Sequence, residues 1–169
     1  MNSPLSPSFR KKIHEFSLRI YYEDTDAAGI VYHANYLKFM ERGRTEWLRE
    51  LGFEQSILAK SHEVIFVVVT LNLNFKKPAR IDQKLSVRTS LRRLGAASIE
   101  LNQILVADDS EINCDGLVRL GCVNAASWRA TRIPEELRGK IYYFKDNINE
   151  CYKIKNKYQS VKVEKFDIS

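Results

Sequence analysis

Apolar positions recur at two different spacings along this chain. From Lys11 to Tyr22, Ile13, Phe16, Leu18, Ile20 and Tyr22 largely alternate with polar residues, the period of a half-buried strand. Glu23-Asp24-Thr25-Asp26-Ala27-Ala28-Gly29 interrupts it with turn formers whose side chains bond nearby backbone. From about Ala34 to Leu51 the spacing becomes helical, with Leu37, Met40, Arg44, Trp47, Leu48 and Leu51 three or four residues apart and Gly52 as the stop. Gly43 inside this helix costs about 1 kcal/mol relative to Ala, which close approach to a sheet would offset. A short helix is expected over about Glu54 to Lys60.

Beyond Glu63 the period returns to two. The run Val64 to Val69 has the length of a buried strand, and Val69, Leu71, Leu73 and Phe75 then alternate with polar residues. A turn at Lys76 to Asp82 contains Pro78, which stops strand pairing. Leu85, Val87, Thr89 and Leu91 mark the next strand, and Ile99, Leu101 and Leu105 another. Ala107 to Ser110 reads as a hairpin loop, Ile112 to Trp128 as a long last strand, and Pro134 opens a helix at Glu135. Strands joined by short turns pair antiparallel, so the order predicts an α+β domain with one long helix against a five-stranded antiparallel sheet. One helix cannot cover a whole sheet face, so a homodimer or homotetramer is expected.

Length and charge narrow the picture. A chain of 169 residues fits one domain, expected over 11–139, between a flexible arm at 1–10 and a basic extension at 140–169. No apolar run is long enough to span a membrane, and the N-terminus lacks the apolar segment of a secretory signal, so a cytoplasmic protein is expected. The net charge of +6 is dispersed rather than blocked, which disfavours nucleic acid and leaves room for a phosphate-bearing small molecule. Cys114, Cys122 and Cys151 lack metal-ligand spacing and read as structural thiols, so no metal site is expected.

The chemistry concentrates in Tyr21 to Glu50. A carboxylate at Asp26 and a histidine at His33 flank a glycine-containing bend just ahead of the helix. Free N–H groups at a helix start can hold the oxygen of a polarised carbonyl, and a facing carboxylate can attack it or activate water. On residue type alone, Asp24 and Asp26 read as turn aspartates and His33 as a helix-start residue.

The pattern Tyr22-x-Asp24-Thr25-Asp26-x-x-Gly29-Ile30-Val31-Tyr32-His33-x-x-Tyr36 resembles the active-site signature of the 4-hydroxybenzoyl-CoA thioesterase family. Members of that family have the hotdog fold, a sheet wrapped around a central helix. Within it, the segment is similar to the YbgC-type acyl-CoA thioesterases associated with the Tol-Pal cluster. The similarity continues through Met40 to Glu46 and Pro78 to Asp82, and covers about residues 13–128. The resemblance implies an acyl-CoA thioesterase with Asp26 as nucleophile or general base, and with the backbone N–H at His33 polarising the thioester carbonyl. It also implies that Gly29 permits close approach of the backbone, that Tyr32 and Tyr36 shape the acyl pocket, and that Arg92 and Arg93 meet the CoA phosphates, across a dimer interface. Lys76, Lys77 and Arg80 are weaker phosphate candidates. Glu41 and Glu46 are alternatives to Asp26 because a related branch uses a helix glutamate. No cofactor is implied, since CoA belongs to the substrate; acyl-carrier protein is the alternative donor. The competing readings are a non-catalytic acyl-CoA or acyl-carrier-protein binding module and a dehydratase, for which His14 and His62 lack the required setting.

Overall fold

A computed structural model describes residues 13–108 and 110–145. The strands are β1 (His14–Arg19), β2 (Val64–Phe75), β3 (Lys84–Leu94), β4 (Ser98–Ala107) and β5 (Ile112–Asn124). The helices are α1 (His33–Glu50), α2 (Gln55–Ser61) and α3 (Glu135–Lys145). All strand pairs are antiparallel, in the order β1-β3-β4-β5-β2. The expected α+β class, five strands and long helix are all present. The arm at 1–10 and residues 146–169 lie outside the described residues. The packed unit runs across the expected boundary at 139, because α3 buries Ile141. The last strand ends at Asn124, not Trp128, where an Asx turn takes over: Asn124 Oδ1 accepts from the Ala126 and Ser127 amides at 3.1 and 2.9 Å.

Strand order dictates where α1 lies. β1 and β2 are sequence neighbours yet form opposite edges of the sheet, so the segment between them must cross one whole face. Five strands span about 19 Å between edges, and an 18-residue helix is about 27 Å long, enough to cross obliquely. The helix buries Tyr36, Phe39, Met40, Gly43, Arg44, Trp47 and Leu48 against the sheet. Leu37, expected on the apolar stripe, is 38% exposed. Tyr36 and Phe39 take that face instead, since one face of the helix is set by Gly43.

At Gly43 a β-carbon would meet Val87 Cγ1 at 2.6 Å and Val87 Cβ at 3.1 Å. The missing side chain lets the helix sit on β3. Beside it runs a buried polar network. Arg44 donates to Gln103 Oε1 at 2.8 Å, and Gln103 Nε2 donates to Met40 O at 2.9 Å and Thr89 Oγ1 at 3.0 Å. Each member is buried and partnered, the condition under which such a network fixes register rather than weakening the core.

The run Val64 to Val69, expected to be buried, forms the edge strand instead, with Val68 and Val69 exposed by 49% and 54%. Pairing with β5 is irregular between Val68 and Thr70, which leaves Val69 as an extra residue. Such a bulge changes which parity faces the helix. Val64 and Phe66 pack against the core before it, Leu71 and Leu73 after it.

Two substitutions separate helix propensity from packing. Gly139→Ala, at an exposed position of α3 with open space around it, should stabilise the protein by about 0.5–1 kcal/mol. Gly43→Ala should destabilise by about 1–3 kcal/mol despite the same gain in propensity, because Val87 must move. Urea denaturation of both variants checks this; a stabilised Gly43→Ala would mean that α1 does not touch β3 there.

Candidate active site

The candidate site begins where β1 ends. Ile20 exchanges backbone bonds with Gln83 and Asp82 at 2.9 and 3.0 Å, and the chain then turns away through a single 3-10 turn at Tyr22–Asp24. Asp24 is buried, and its Oδ2 accepts the Tyr21 N–H at 2.9 Å, so this carboxylate shapes the turn, as its residue type suggested. Thr25 then bridges to Val31, making residues 25–31 a small hairpin. The Asp26 N–H donates to Ile30 O and the Gly29 N–H to Asp26 O, both at 2.9 Å. Gly29 has φ of 71°, the left-handed conformation that closes a three-residue hairpin loop. Asp26 stands exposed on this loop, and its Oδ1 accepts the Ala28 N–H at 2.8 Å. That bond orients the carboxylate and leaves Oδ2 without a partner among the described residues.

The returning arm of the hairpin runs straight into α1. Val31 N–H donates to Ala79 O at 2.8 Å and Ile30 bridges to Arg80, which moors the arm to the Pro78–Ala79 turn. Tyr32 is the N-cap and makes no side-chain capping bond. The first-turn amides of α1 therefore carry the helix's partial positive charge beside the hairpin that bears Asp26. One carbonyl ties the two parts together: Asp24 O accepts both the Tyr32 N–H and Asn35 Nδ2, each at 2.9 Å.

The fold thus brings Asp26, Gly29, Tyr32 and His33 into one exposed loop-and-helix junction. The His33 ring lies against Tyr32, with centroids 4.4 Å apart. Tyr36 is elsewhere. It is 3% exposed, packs edge-on against Phe39 and Phe75, and its hydroxyl accepts the Ala79 N–H at 3.1 Å. Its phenol is pushed above the ordinary range by burial, against the opposing effect of that hydrogen bond. Tyr36 is therefore a core strut beneath the site, because the helical period turns it toward the sheet.

Arg92 and Arg93 are exposed at the far end of β3, roughly 26–30 Å along the strand from its start near the hairpin. A single protomer does not bring them to Asp26. Lys76 and Lys77 are engaged with Asp115 (3.5 Å) and Glu111. Glu41 pairs with Arg44, and Glu46 with Arg49, both across one helical turn. Two features escaped the sequence reading. Asn35 is buried; its signal was a polar residue one turn before Phe39 on the face that packs inward. The other is a cleft between α1 and the β2 edge, lined by Glu41, Arg44, Trp47, Phe66, Val68 and Leu120. It depends on which strand is the edge, which no local pattern reveals. Among the described residues, no cluster of His, Cys, Asp or Glu could hold a metal, and no helix is long and apolar enough to cross a membrane.

Residues 21–141 match the family described as the thioesterase-like superfamily. The acyl-CoA thioesterase YbgC of Haemophilus influenzae is 37% identical over 130 residues, which is 77% of this chain and 95% of that protein. The acyl-CoA thioester hydrolase YbgC of Escherichia coli O6:H1 is 34% identical, covering 74% of this chain and 92% of its own. A crystal structure of a probable thioesterase from Bartonella henselae superposes with a TM-score of 0.69 at 38% identity, covering 72% of this chain and 99% of that one.

Cys114 and Cys122 are not poised as nucleophiles. Burial pushes Cys114 up to about 12, with Asp115 adding to the rise, and burial pushes Cys122 up to about 11. Both stay protonated, and a thiol is a poor nucleophile. An unfolded thiol titrates near 9. Above that pH the folded state holds more protons than the unfolded state, so the contribution is fully present below about 9 and fades toward 11–12. The urea midpoint should fall as pH rises through this window, and the double variant Cys114→Ala, Cys122→Ala should show a shallower decline. Equal slopes would exclude the thiols as its source.

Proposed function

The chain belongs to the thioesterase-like superfamily, and we propose that Asp26 and the start of α1 are the two working halves of its active site. It is a thioester hydrolase that cleaves acyl-CoA to a free acid and CoA, as its YbgC relatives do. The observation that supports the assignment is the hairpin 25–31. It presents one exposed, oriented carboxylate beside an uncapped helix N-terminus.

In this reading the thioester carbonyl oxygen points at the His33 amide. The helix dipole and N–H stabilise the negative charge that grows on that oxygen in the tetrahedral intermediate. Asp26 acts in one of two ways. Its Oδ2 adds to the carbonyl carbon, the C–S bond breaks, CoA leaves as thiolate, and water then hydrolyses the acyl-aspartyl anhydride. Alternatively, Asp26 takes a proton from water, whose oxygen adds to the carbon before CoA leaves. Single turnover in oxygen-18 water tests the first route: label in Asp26 requires an acyl-aspartyl anhydride opened at the carboxyl carbon of residue 26, whereas the second route puts label only in the released acid. The His33 side chain, exposed beside Tyr32, assists the leaving group. In this reading water and acyl-CoA suffice for the reaction without a cofactor, and a cytoplasmic site of action fits a CoA ester as substrate.

The working unit is a homodimer. β2 is a twelve-residue edge strand with Val68 and Val69 exposed, and long apolar edges are normally covered. A second copy pairing along β2 by a two-fold axis would set each cleft against the partner's hairpin. It would also carry Arg92 and Arg93 of one protomer toward the CoA of the other, which supplies the phosphate partners that a single protomer keeps distant.

Asp26→Asn should lower kcat/KM for acyl-CoA at least about a thousandfold, about 4 kcal/mol of transition-state stabilisation. The Asn carbonyl preserves the bond from Ala28, so the Tm should hold within a few degrees. A thiol-release assay across aromatic, short, medium and long acyl-CoAs reads both variants. Unchanged turnover in Asp26→Asn would remove Asp26 from the mechanism, and tight acyl-CoA binding with no thiol release by the wild type would point to a binding module. Val69→Lys should shift sedimentation from dimer to monomer and lower activity with it; an active monomer would place the site within one chain.

A further inference from the structure

We infer that Asn35 is the positioning residue that sets the distance between the Asp26 carboxylate and the amide at the start of α1; this rests on the proposed roles of Asp26 and His33. Asp26 lies on the outgoing arm of the 25–31 hairpin, its N–H bonded to Ile30 O on the returning arm, which runs into the helix. What joins the outgoing arm to the helix upstream of the loop is a single carbonyl, Asp24 O. It uses both lone pairs on α1: one for the Tyr32 N–H and one for Asn35 Nδ2, each at 2.9 Å. Asp24 precedes the hairpin's first bridging residue, Thr25, and Asp26 follows directly. A shift of this carbonyl relative to the helix therefore moves Asp26 by a similar amount.

Asn35 is suited to that task and poorly explained by any other. It is 6% exposed on the inner face of the first helical turn, where an apolar residue would ordinarily add to the core. Its backbone N–H already bonds Tyr32 O at 2.8 Å, so its side chain is not needed to close the helix start. The amide instead reaches back across eleven residues to the strand exit. Catalytic geometry tolerates errors of only a fraction of an ångström, so loss of this anchor should slow the chemical step while leaving substrate binding nearly intact.

Two variants remove the bond without removing the fold. In Asn35→Ala, Asp24 O retains the Tyr32 N–H, and alanine favours the helix. In Asn35→Asp, a near-isosteric carboxylate sits well in the first turn of a helix but turns an oxygen toward Asp24 O. Both should keep the wild-type circular dichroism; Asn35→Ala should lie within a few degrees in Tm, and Asn35→Asp lower, because it buries an unpaired carboxylate. For each, kcat should fall about ten- to a hundredfold, further in Asn35→Asp, while KM and the Kd for a non-hydrolysable acyl-CoA thioether stay within about threefold. Asn35→Ala combined with Asp26→Asn should be no slower than Asp26→Asn alone, because a positioning residue acts only through the group it positions. A kcat within twofold of wild type, or losses in kcat, Kd and Tm that run in parallel, would overturn the inference while leaving Asp26 in place. Full activity in Asp26→Asn would overturn the catalytic reading itself and this inference with it.

Discussion

The close contact between α1 and β3 at Gly43 organises the rest of the molecule. A helix that must travel from one edge of a sheet to the other can do so only by lying flat on its face, and a side chain at residue 43 would hold it off by the width of Val87. Once the helix is seated, Met40 and Arg44 fall within reach of Gln103, and the buried network with Thr89 locks both axial position and rotation. Rotation then decides the exposures along the helix. Tyr36, Phe39 and Trp47 face inward, and His33 and Leu37 face out.

The same seating positions the candidate site. The core beneath the helix start contains Ile20, Val31, Tyr36, Ala79 and Leu85, one from each segment that the loop touches. Tyr36 is the clearest case of a signature residue with a structural job. Its buried hydroxyl takes the Ala79 amide, and Ala79 in turn accepts the amide of Val31, so helix, turn and hairpin are hydrogen-bonded in series. On this rigid base an exposed loop can hold a carboxylate without wandering. The loop's own bonds, from Ala28 to the carboxylate and from Gly29 to the carbonyl of Asp26, supply the final orientation.

At the other margin, the β2 edge combines two properties that usually exclude each other, high apolar content and exposure. The bulge at Val69 accounts for how this is possible without breaking the core. It lets Val64 and Phe66 on one side, and Leu71 and Leu73 on the other, pack against the core while the strand changes phase between them. The cleft beside this edge is open because no further strand among the described residues closes it.

Local sequence determined the elements and much of the site. Helical spacing marked α1 within a residue at either end, alternation marked four of the strands, and the run from Tyr22 to Tyr36 located the turn and the helix start, though not that the turn is a hairpin. These are short-range properties: turn chemistry, periodicity and capping act over a few residues. Tertiary structure decided the remainder. Val64 to Val69 reads as a core strand until the order β1-β3-β4-β5-β2 places it at the edge. Arg92 and Arg93 carry no local mark of their distance from Asp26, which the length of β3 sets within one chain. Asn35 reads as an unremarkable helix residue until the strand exit folds back over it. In each case the deciding contact joins segments far apart in the chain, and spacing along one segment carries no record of which other segment will lie against it.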